Sequence, residues 1–120
     1  MKKQEVGRLG ETLARRFLEG KGYRVRETNF RCQYGEIDVV AEQKDYLVFV
    51  EVRTRSSLNF GTPEESITWK KKEKLVTLAL EYINSHRGLP SLWRIDVVAV
   101  ELDRAGKTRR IELIENAVMG

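Results

Sequence analysis

The chain has 120 residues, 41% of them hydrophobic and 33% charged, with a formal net charge of +4 at pH 7. This length and composition predict one folded domain over residues 1–120, which needs neither a disulfide nor a metal ion merely to fold. A single cysteine excludes an intrachain disulfide and a cysteine-rich zinc site. The single histidine, His86, argues against a Ser-His-Asp triad and multi-histidine metal centres, although one histidine could still act as a base. Any catalysis therefore falls mainly to carboxylates, lysines and arginines.

The first half of the chain predicts one helix and three strands. Apolar residues recur at helical spacing from Gln4 to about Gly20. The alternating segment 23–26 predicts the first strand, and residues 29–35 are turn-like. Segments 36–41 and 47–52 predict two more strands. The second of these is the more apolar, so we expect it at the centre of the sheet, covered on both faces.

The second half of the chain predicts one helix and two strands. Thr62, Pro63 and Glu64 together favour a helix start, and we expect that helix to run to about Ser85. Segments 93–101 and 108–114 predict two strands joined by a turn. The resulting order, αβββαββ, predicts an α/β fold in which helices flank a mixed central sheet.

The cations of the chain are clustered. One cluster contains Arg53, Arg55, Lys70, Lys71, Lys72 and Lys74, and a second contains Lys107, Arg109 and Arg110. Such clusters are typical of a surface that binds a polyanion, although a solvated helix face has the same composition. No secretory signal opens the sequence and no apolar stretch is long enough for a membrane span. We therefore expect a cytoplasmic protein without a membrane partner.

Two carboxylates are expected to face each other across the second and third strands. A two-residue turn at residues 44–45 pairs residue 43 with residue 46, and the same register sets Asp38 opposite Glu51. A divalent cation would relieve the repulsion between the two acids, because Mg²⁺ is often held by one or two carboxylates. The alternatives are that one acid faces solvent or pairs with an arginine that follows on the third strand.

Other charged or aromatic side chains have two interpretations each. Glu11, beside the apolar arc of the first helix, either points towards the acidic pair or is an ordinary exposed glutamate. Lys71 shares the apolar side of the second helix, so it either reaches the site or extends past its apolar stem into solvent. Trp69, on the far side of that helix, either caps the neighbouring loop or stacks on a base. Arg94 and Asp96 are expected to face outward on their strand.

The sequence resembles the YraN family of small bacterial proteins from about residue 7 to residue 118. Asp38 followed by Glu51-Val52-Arg53 also resembles the PD-(D/E)xK nuclease signature, with arginine in the last position. The matching pieces keep their spacing; they are Gly7-Arg8-Leu9-Gly10-Glu11, Gly22-Tyr23, Asn29-Phe30-Arg31, Gly35-Glu36-Ile37-Asp38, Phe49-Val50-Glu51-Val52-Arg53-Thr54-Arg55, Phe60-Gly61, Lys71 and Arg94-Ile95-Asp96-Val97-Val98.

The resemblance implies a restriction-endonuclease-like fold, similar in outline to archaeal Holliday-junction resolvases. In those enzymes a helical Glu, a strand Asp and an E-x-K pair surround the metal. The matching positions here are Glu11, Asp38, Glu51 and Arg53. The resemblance thus implies that the three acids bind Mg²⁺ or Mn²⁺ and that the protein hydrolyses DNA phosphodiesters, with branched DNA and a homodimer as further expectations. The residues expected to contact nucleic acid are Arg31, Arg55, Lys70, Lys72 and Lys74.

Arg53 is the departure from the signature, which carries lysine there. Arginine keeps its proton at physiological pH, so it can clamp a phosphate but cannot act as a general base. Lys71 is the candidate that compensates, which adds it to the predicted catalytic residues. The alternative function is a DNA-binding module on the same fold, in which the chemistry is impaired and the basic residues only grip phosphates.

Overall fold

The computed structural model describes residues 1–57, 59 and 61–118 of the chain. Phe60, part of one piece of the family resemblance, lies outside the described residues. The elements are α1 (Lys3–Gly20), β1 (Arg24–Cys32), β2 (Gly35–Gln43), β3 (Tyr46–Arg55), a short 3₁₀ turn (Glu64–Ser66), α2 (Trp69–Ser85), β4 (Leu92–Leu102) and β5 (Thr108–Ile114). This is the predicted αβββαββ order, and it is compatible with a restriction-endonuclease-like arrangement.

The five strands form one mixed sheet in the order β1-β2-β3-β4-β5. β3 and β4 are parallel, and the other neighbouring pairs are antiparallel. The central position of β3, predicted from its apolar sequence, is confirmed. No helix among the described residues is long and apolar enough to cross a membrane.

Each face of the sheet is covered by one helix. The buried side of α1 contains Val6, Gly10, Ala14 and Leu18, one residue per turn, and packs against Val50, Val98 and other strand residues. α2 covers the opposite face, where Leu75, Leu78 and Tyr82 pack against the strands. Side chains alternate between the two faces of a strand, so β3 contributes to both cores.

The predicted register between β2 and β3 is confirmed. Gln43 pairs with Tyr46, and the ladder continues in that register to Val39 and Val50. Lys44 has a φ of 55°, a left-handed conformation that the two-residue turn requires. The paired part of the ladder therefore ends at the residue pair next to Asp38 and Glu51.

Two predicted boundaries were wrong. β1 continues to Cys32 through most of the stretch expected to be a turn, and Asn29, with a φ of 54°, has a left-handed conformation within the strand. The helix expected from Thr62 begins at Trp69 instead. Thr62 and Glu65 exchange hydrogen bonds around a 3₁₀ turn. Ile67 is then extended, and Thr68 caps α2 by accepting a hydrogen bond from the Lys71 amide at 3.1 Å.

Candidate functional site

Asp38 lies where β2 and β3 stop pairing. Its Oδ2 accepts a hydrogen bond from the Val52 amide at 2.7 Å, so a side chain takes the place of the backbone partner that the next rung of the ladder would supply. The carboxyl group is fixed at this point by the main chain of β3. It is therefore held beside Glu51, the residue just before Val52.

Glu51 is buried, with only 4% of the residue exposed. Two cations reach the same carboxylate oxygen: Arg53 Nη2 lies 3.1 Å and Lys71 Nζ 3.4 Å from Glu51 Oε2. Arg53 comes from the same strand, whereas Lys71 comes from α2. Of the two interpretations of Lys71, the structure therefore supports the one in which it reaches the acidic pair.

The buried carboxyl groups of Asp38 and Glu51 disfavour each other's ionisation. Burial raises the pKa of Asp38 to about 8, and the neighbouring charge of Glu51 and a hydrogen bond between the two carboxyl groups contribute to the rise. The Val52 amide opposes it, because that hydrogen bond favours the ionised form. Near neutral pH the pair therefore retains a proton, although Arg53 and Lys71 stand beside Glu51.

Glu11 approaches the pair from α1. At the preceding residue, Gly10, a Cβ atom would lie only 2.8 Å from Thr54 Cβ, so glycine lets the helix pass unusually close to β3. Glu11 and Asp38 line the same open cleft of about 240 Å³. Burial raises the pKa of Glu11, and the charges of Glu36 and Glu51 raise it further. The helix therefore adds a third carboxylate near the pair, and Arg8 and Arg15 of the same helix also line the cleft.

Asn29 is a site residue that the sequence analysis missed. With its amide nitrogen turned towards the acids, it donates hydrogen bonds to Glu11 Oε1 at 3.1 Å and to Glu36 Oε1 at 2.7 Å. It thus links α1 to β2 at the rim of the cleft. The available signal was the asparagine that opens the turn-like stretch, because asparagine tolerates the left-handed φ that this position adopts.

The oxygen donors suit a divalent cation, but they do not form a complete set of ligands. Asp38 and Glu51 offer hard carboxylate oxygens of the kind that Mg²⁺ and Mn²⁺ prefer. Within residues 1–57, 59 and 61–118, no three His, Cys, Asp or Glu side chains converge into a metal-binding group. Glu11 therefore belongs to the same cleft without standing in direct ligand geometry with the other two acids.

Arg53 carries an unusual polar atom. Its Nε is buried and has no hydrogen-bond partner, the one such side-chain atom in the described part of the chain. An arginine can donate five hydrogen bonds, so this guanidinium, already bonded to Glu51 through Nη2, still has unused donor capacity at the site.

The residues expected to bind nucleic acid differ in their surroundings. Arg31 pairs with Glu36 at 3.0 Å, and Arg55 is half-buried at the end of β3. Lys70, Lys72 and Lys74 lie along the first turns of α2, and none of them is within 4.0 Å of a carboxylate oxygen of the described residues. No carboxylate of the described residues neutralises the charge of these three lysines.

The second basic cluster is partly neutralised, contrary to the polyanion-surface interpretation. Arg110 binds Glu64 at 2.7 Å through Nη2, Glu112 at 2.7 Å through Nη1, and Glu101 at 2.6 Å through Nε. Its guanidinium joins β4, β5 and the 3₁₀ turn, and is therefore a structural group. Lys107 and Arg109 remain exposed.

The expectation that Arg94 and Asp96 face outward was wrong. Asp96 is completely buried, and it accepts hydrogen bonds from Arg94 Nε at 3.0 Å and from the Tyr23 hydroxyl at 3.0 Å. The Asn116 amide donates to the same carboxylate at 2.9 Å. Burial raises the pKa of Tyr23 to about 12, and the charge of Asp96 contributes. This network ties β4 to the chain segments before β1 and after β5.

Trp69 does not cap a neighbouring loop, because it is 77% exposed at the first residue of α2. Lys72 Nζ lies 5.0 Å from the centre of its ring, a cation–π distance. The indole therefore presents most of its surface to solvent, next to the lysines of α2.

The fold and this site define an α/β protein with an αβββαββ core and an acidic cleft where its central strands diverge. Residues 10–100 match the uncharacterised protein family UPF0102, the family to which YraN belongs, and the chain is a member of it. It is 48% identical to a UPF0102 protein of Moorella thermoacetica over 98% of both chains. It is also 46% identical to one of Pelotomaculum thermopropionicum over 93% of both, and 43% identical to one of Caldicellulosiruptor bescii over 98% of this chain and 99% of the relative.

Proposed function

We propose that this protein is a metal-dependent endonuclease that hydrolyses DNA phosphodiesters. The observation that carries the proposal is the pair formed by Asp38 and Glu51, in which burial and mutual repulsion hold the pKa of Asp38 at about 8 although two cations are nearby. A buried carboxylate pair that holds one proton, with Asp38 on an open cleft, is suited to a cation that a substrate phosphate helps to hold.

Asp38 and Glu51 would hold Mg²⁺ or Mn²⁺, and Glu11 would contribute from across the cleft. When bound, such an ion neutralises phosphate charge and makes a water molecule more acidic. The two acids fit this role because their oxygens are hard donors and because cation binding would replace the proton that the pair retains. Glu11 would orient water at the rim, where it already lines the cleft beside Asp38.

Lys71 and Arg53 would together take the roles of the single lysine in the PD-(D/E)xK signature. The Lys71 ammonium can exchange a proton with water and can balance charge as it develops on the phosphate. Arg53 stays protonated, and the guanidinium donors that do not contact Glu51 can grip a phosphate oxygen. The arrangement places both groups within 3.4 Å of one oxygen of Glu51.

The substrate would be held through its phosphates by Arg31, Arg55, Lys70, Lys72 and Lys74. Binding of this type weakens with salt because phosphate contacts release counterions. A DNA substrate would place the activity in the cytoplasm. A domain this small would act on both strands of branched DNA as a homodimer, with one cleft for each strand.

A second function is favoured by one contact. Arg53 engages Glu51 at 3.1 Å with a group that never gives up its proton. If this ion pair and the Lys71 contact together take the place of the metal, the cleft becomes a phosphate-gripping surface. The protein would then be a DNA-binding module on a nuclease-like fold.

The test is cleavage of labelled duplex, single-stranded, flap and four-way-junction DNA in Mg²⁺ and in Mn²⁺. Asp38→Asn is compared with Asp45→Asn, which alters an exposed acid in the β2–β3 turn. We expect cutting that needs the metal, is lost in Asp38→Asn and persists in Asp45→Asn. Binding without cutting under every condition would support the binding module instead.

A metal-binding measurement separates the site from the activity. Mn²⁺ should raise the melting temperature of the wild-type protein, because a ligand that binds only the folded state stabilises it. The rise should be much smaller for Asp38→Asn and unchanged for Asp45→Asn. Equal rises in all three proteins would place the ion elsewhere.

A further inference from the structure

The exposed indole of Trp69 has no role in the fold described above. At 77% exposed it is the most accessible of the large hydrophobic side chains in the described residues, and it opens the helix that carries Lys71 into the acidic site. An exposed tryptophan offers a large, flat aromatic surface, and tryptophan contributes strongly to binding where a partner covers it.

The surroundings of Trp69 indicate the chemistry of that partner. Residues 70–74 contain four lysines and one glutamate. The Lys72 ammonium lies 5.0 Å from the centre of the Trp69 ring. None of Lys70, Lys72 and Lys74 forms an ion pair with a described residue. A flat aromatic ring beside lysines without ion pairs suits a ligand that combines flat aromatic groups with closely spaced negative charges. A nucleic-acid strand with an unpaired base has these properties.

A second exposed aromatic ring lies near Lys74. Tyr34, in the turn between β1 and β2, is 44% exposed. The next residue, Gly35, is packed so closely against α2 that a Cβ atom there would lie 3.0 Å from Lys74 Cε. Aromatic rings thus lie beside the lysines at Lys72 and near Lys74; we call Trp69, Lys70, Lys72, Lys74 and Tyr34 the stacking surface.

We infer that Trp69 stacks on an unpaired base of the nucleic acid while the lysines of the stacking surface hold its phosphates. The inference rests on the proposed function and narrows its substrate to DNA with a single-stranded segment next to the cleft. Trp69 and Lys71 are two residues apart, with Cα atoms roughly 5.4 Å from each other in a helix, and they point to opposite sides of it. A strand that crosses the start of α2 therefore meets the indole on one side of the helix, while a flanking nucleotide lies towards the acidic site on the other side.

The stacking surface favours a single strand over a blunt duplex for a physical reason. In a duplex each base already stacks on its neighbours, so an indole gains nothing unless the duplex opens. An unpaired base offers a free face, and stacking on an aromatic side chain strengthens binding whatever the base. Phosphate contacts from the lysines act on both kinds of DNA.

The test uses binding without catalysis. Fluorescein-labelled oligothymidylate and a blunt duplex of matched length are titrated with the full chain in EDTA at low salt, and anisotropy is measured. Trp69→Ala should weaken binding of oligothymidylate by about tenfold or more and leave binding of the duplex nearly unchanged. Trp69→Phe should recover part of the loss, because a smaller ring still stacks.

Leu80→Ala is the matched control. Leu80 is 45% exposed on the same helix, about 16 Å further along its axis. Loss of an exposed apolar side chain there should change neither titration. Circular dichroism melts of all variants check that the substitutions leave the fold intact.

Tryptophan fluorescence gives an independent readout. The chain has two tryptophans, and Trp93→Phe leaves Trp69 as the only reporter. Oligothymidylate should quench its emission and the blunt duplex should not. Three results would each overturn the inference: unchanged binding of the single strand by Trp69→Ala, an equal loss of binding to both DNAs, or no binding of DNA by the wild-type chain. In the last case a protein would be the remaining candidate partner for the indole.

The outcomes separate this inference from the proposed function. Selective loss of single-strand binding in Trp69→Ala, without cleavage by the wild type in any metal, supports the stacking surface and rejects the endonuclease. Metal-dependent cleavage that Trp69→Ala does not alter on any substrate, together with unchanged binding, supports the endonuclease and rejects the stacking surface.

Discussion

Arg53 Nη2 lies 3.1 Å from Glu51 Oε2, and Lys71 Nζ approaches the same oxygen at 3.4 Å from another element of the fold. Two cations from different elements thus approach one oxygen of Glu51, Arg53 from β3 and Lys71 from α2. The chemical difference between the two side chains is that a lysine can take part in proton transfer, whereas an arginine keeps its proton.

Substitution of Lys71 tests that difference. In the proposed enzyme, Lys71→Ala should reduce the rate of metal-dependent cleavage at least tenfold, within the range expected for loss of a proton-transfer group. Lys71→Arg should restore the charge beside Glu51 without restoring the rate, since arginine holds its proton. The rates are measured at saturating DNA, so that weaker binding does not contribute.

Lys70→Ala is the control, because Lys70 is the preceding residue on α2 and is exposed. It should weaken DNA binding modestly and leave the saturated rate unchanged. A Lys71→Arg protein as active as the wild type would show that Lys71 acts only through its charge.

The pKa of Asp38 predicts how stability depends on pH. Its value of about 8 in the folded protein lies above the ordinary value of 3.8, mainly because of burial and then because of Glu51. Between those two pH values the folded state binds more protons than the unfolded chain, so the free energy of unfolding should fall as the pH rises from about 4 to 8. Removal of the charge should reduce this dependence.

Asp38→Asn is therefore expected to stabilise the metal-free protein at pH 8 by about 1–2 kcal/mol, while the amide oxygen still accepts the hydrogen bond from Val52. Near pH 4, where the side chain at position 38 is uncharged in both folded proteins, wild type and variant should be similar in stability. Urea unfolding at a series of pH values measures both quantities. Parallel curves for wild type and variant would show that Asp38 ionises normally.

Much of this region could be predicted from the sequence because the β2–β3 hairpin is local. Once the turn is assigned to two residues, the pairing of Gln43 with Tyr46 determines every other pair up to Val39 and Val50. The same register brings Asp38 level with Glu51. The apolar spacing of α1 likewise placed Glu11 beside its buried face, because helical periodicity fixes direction without any knowledge of the partner surface.

Other features depend on contacts between distant segments and could not be predicted in this way. Arg94 and Asp96 alternate along a strand as exposed residues would, and hydrogen bonds from distant segments, such as Tyr23 before β1 and Asn116 after β5, make their burial tolerable. The start of α2 was misplaced because two capping signals, at Thr62 and Thr68, follow each other. Local preference alone does not decide which of them begins the longer helix.

The close passage of α1 over β3 predicts opposite effects for two glycines of the same helix. A Cβ atom at Gly10 would overlap the Thr54 hydroxyl oxygen and lie 2.8 Å from Thr54 Cβ, whereas at Gly7 it would meet nothing within 4 Å. Gly10→Ala should therefore destabilise the protein by about 1–3 kcal/mol, as overpacking does in other cores. Gly7→Ala should stabilise it by up to about 1 kcal/mol, because alanine favours a helix over glycine.

Both effects are measured by urea unfolding, and Gly10→Ala has a further readout at the site. A helix pushed away from β3 moves Glu11 away from the acidic pair, so metal-dependent stabilisation should also decrease. If Gly10→Ala is as stable as Gly7→Ala, α1 does not approach β3 as closely as the structure places it.

The buried network around Asp96 should be the part of the chain most sensitive to loss of one charge. Asp96→Ala leaves Arg94 buried without its carboxylate and removes the acceptor for Tyr23 and for the Asn116 amide. We expect a loss of about 3–5 kcal/mol in the free energy of unfolding, the range found when one partner of a buried ion pair is removed. Tyr23→Phe removes one hydrogen bond and should cost about 1–2 kcal/mol.

Tyr46→Phe is the control for the network, since the Tyr46 ring faces the Arg94 guanidinium at 4.9 Å and phenylalanine keeps that face. It should cost little. These variants also distinguish stability from site chemistry: in Tyr23→Phe the metal-dependent rise in melting temperature should persist, because Asp38 and Glu51 are not members of the network. Loss of that rise in a Tyr23→Phe protein that remains folded would instead show that the network positions the acidic cleft.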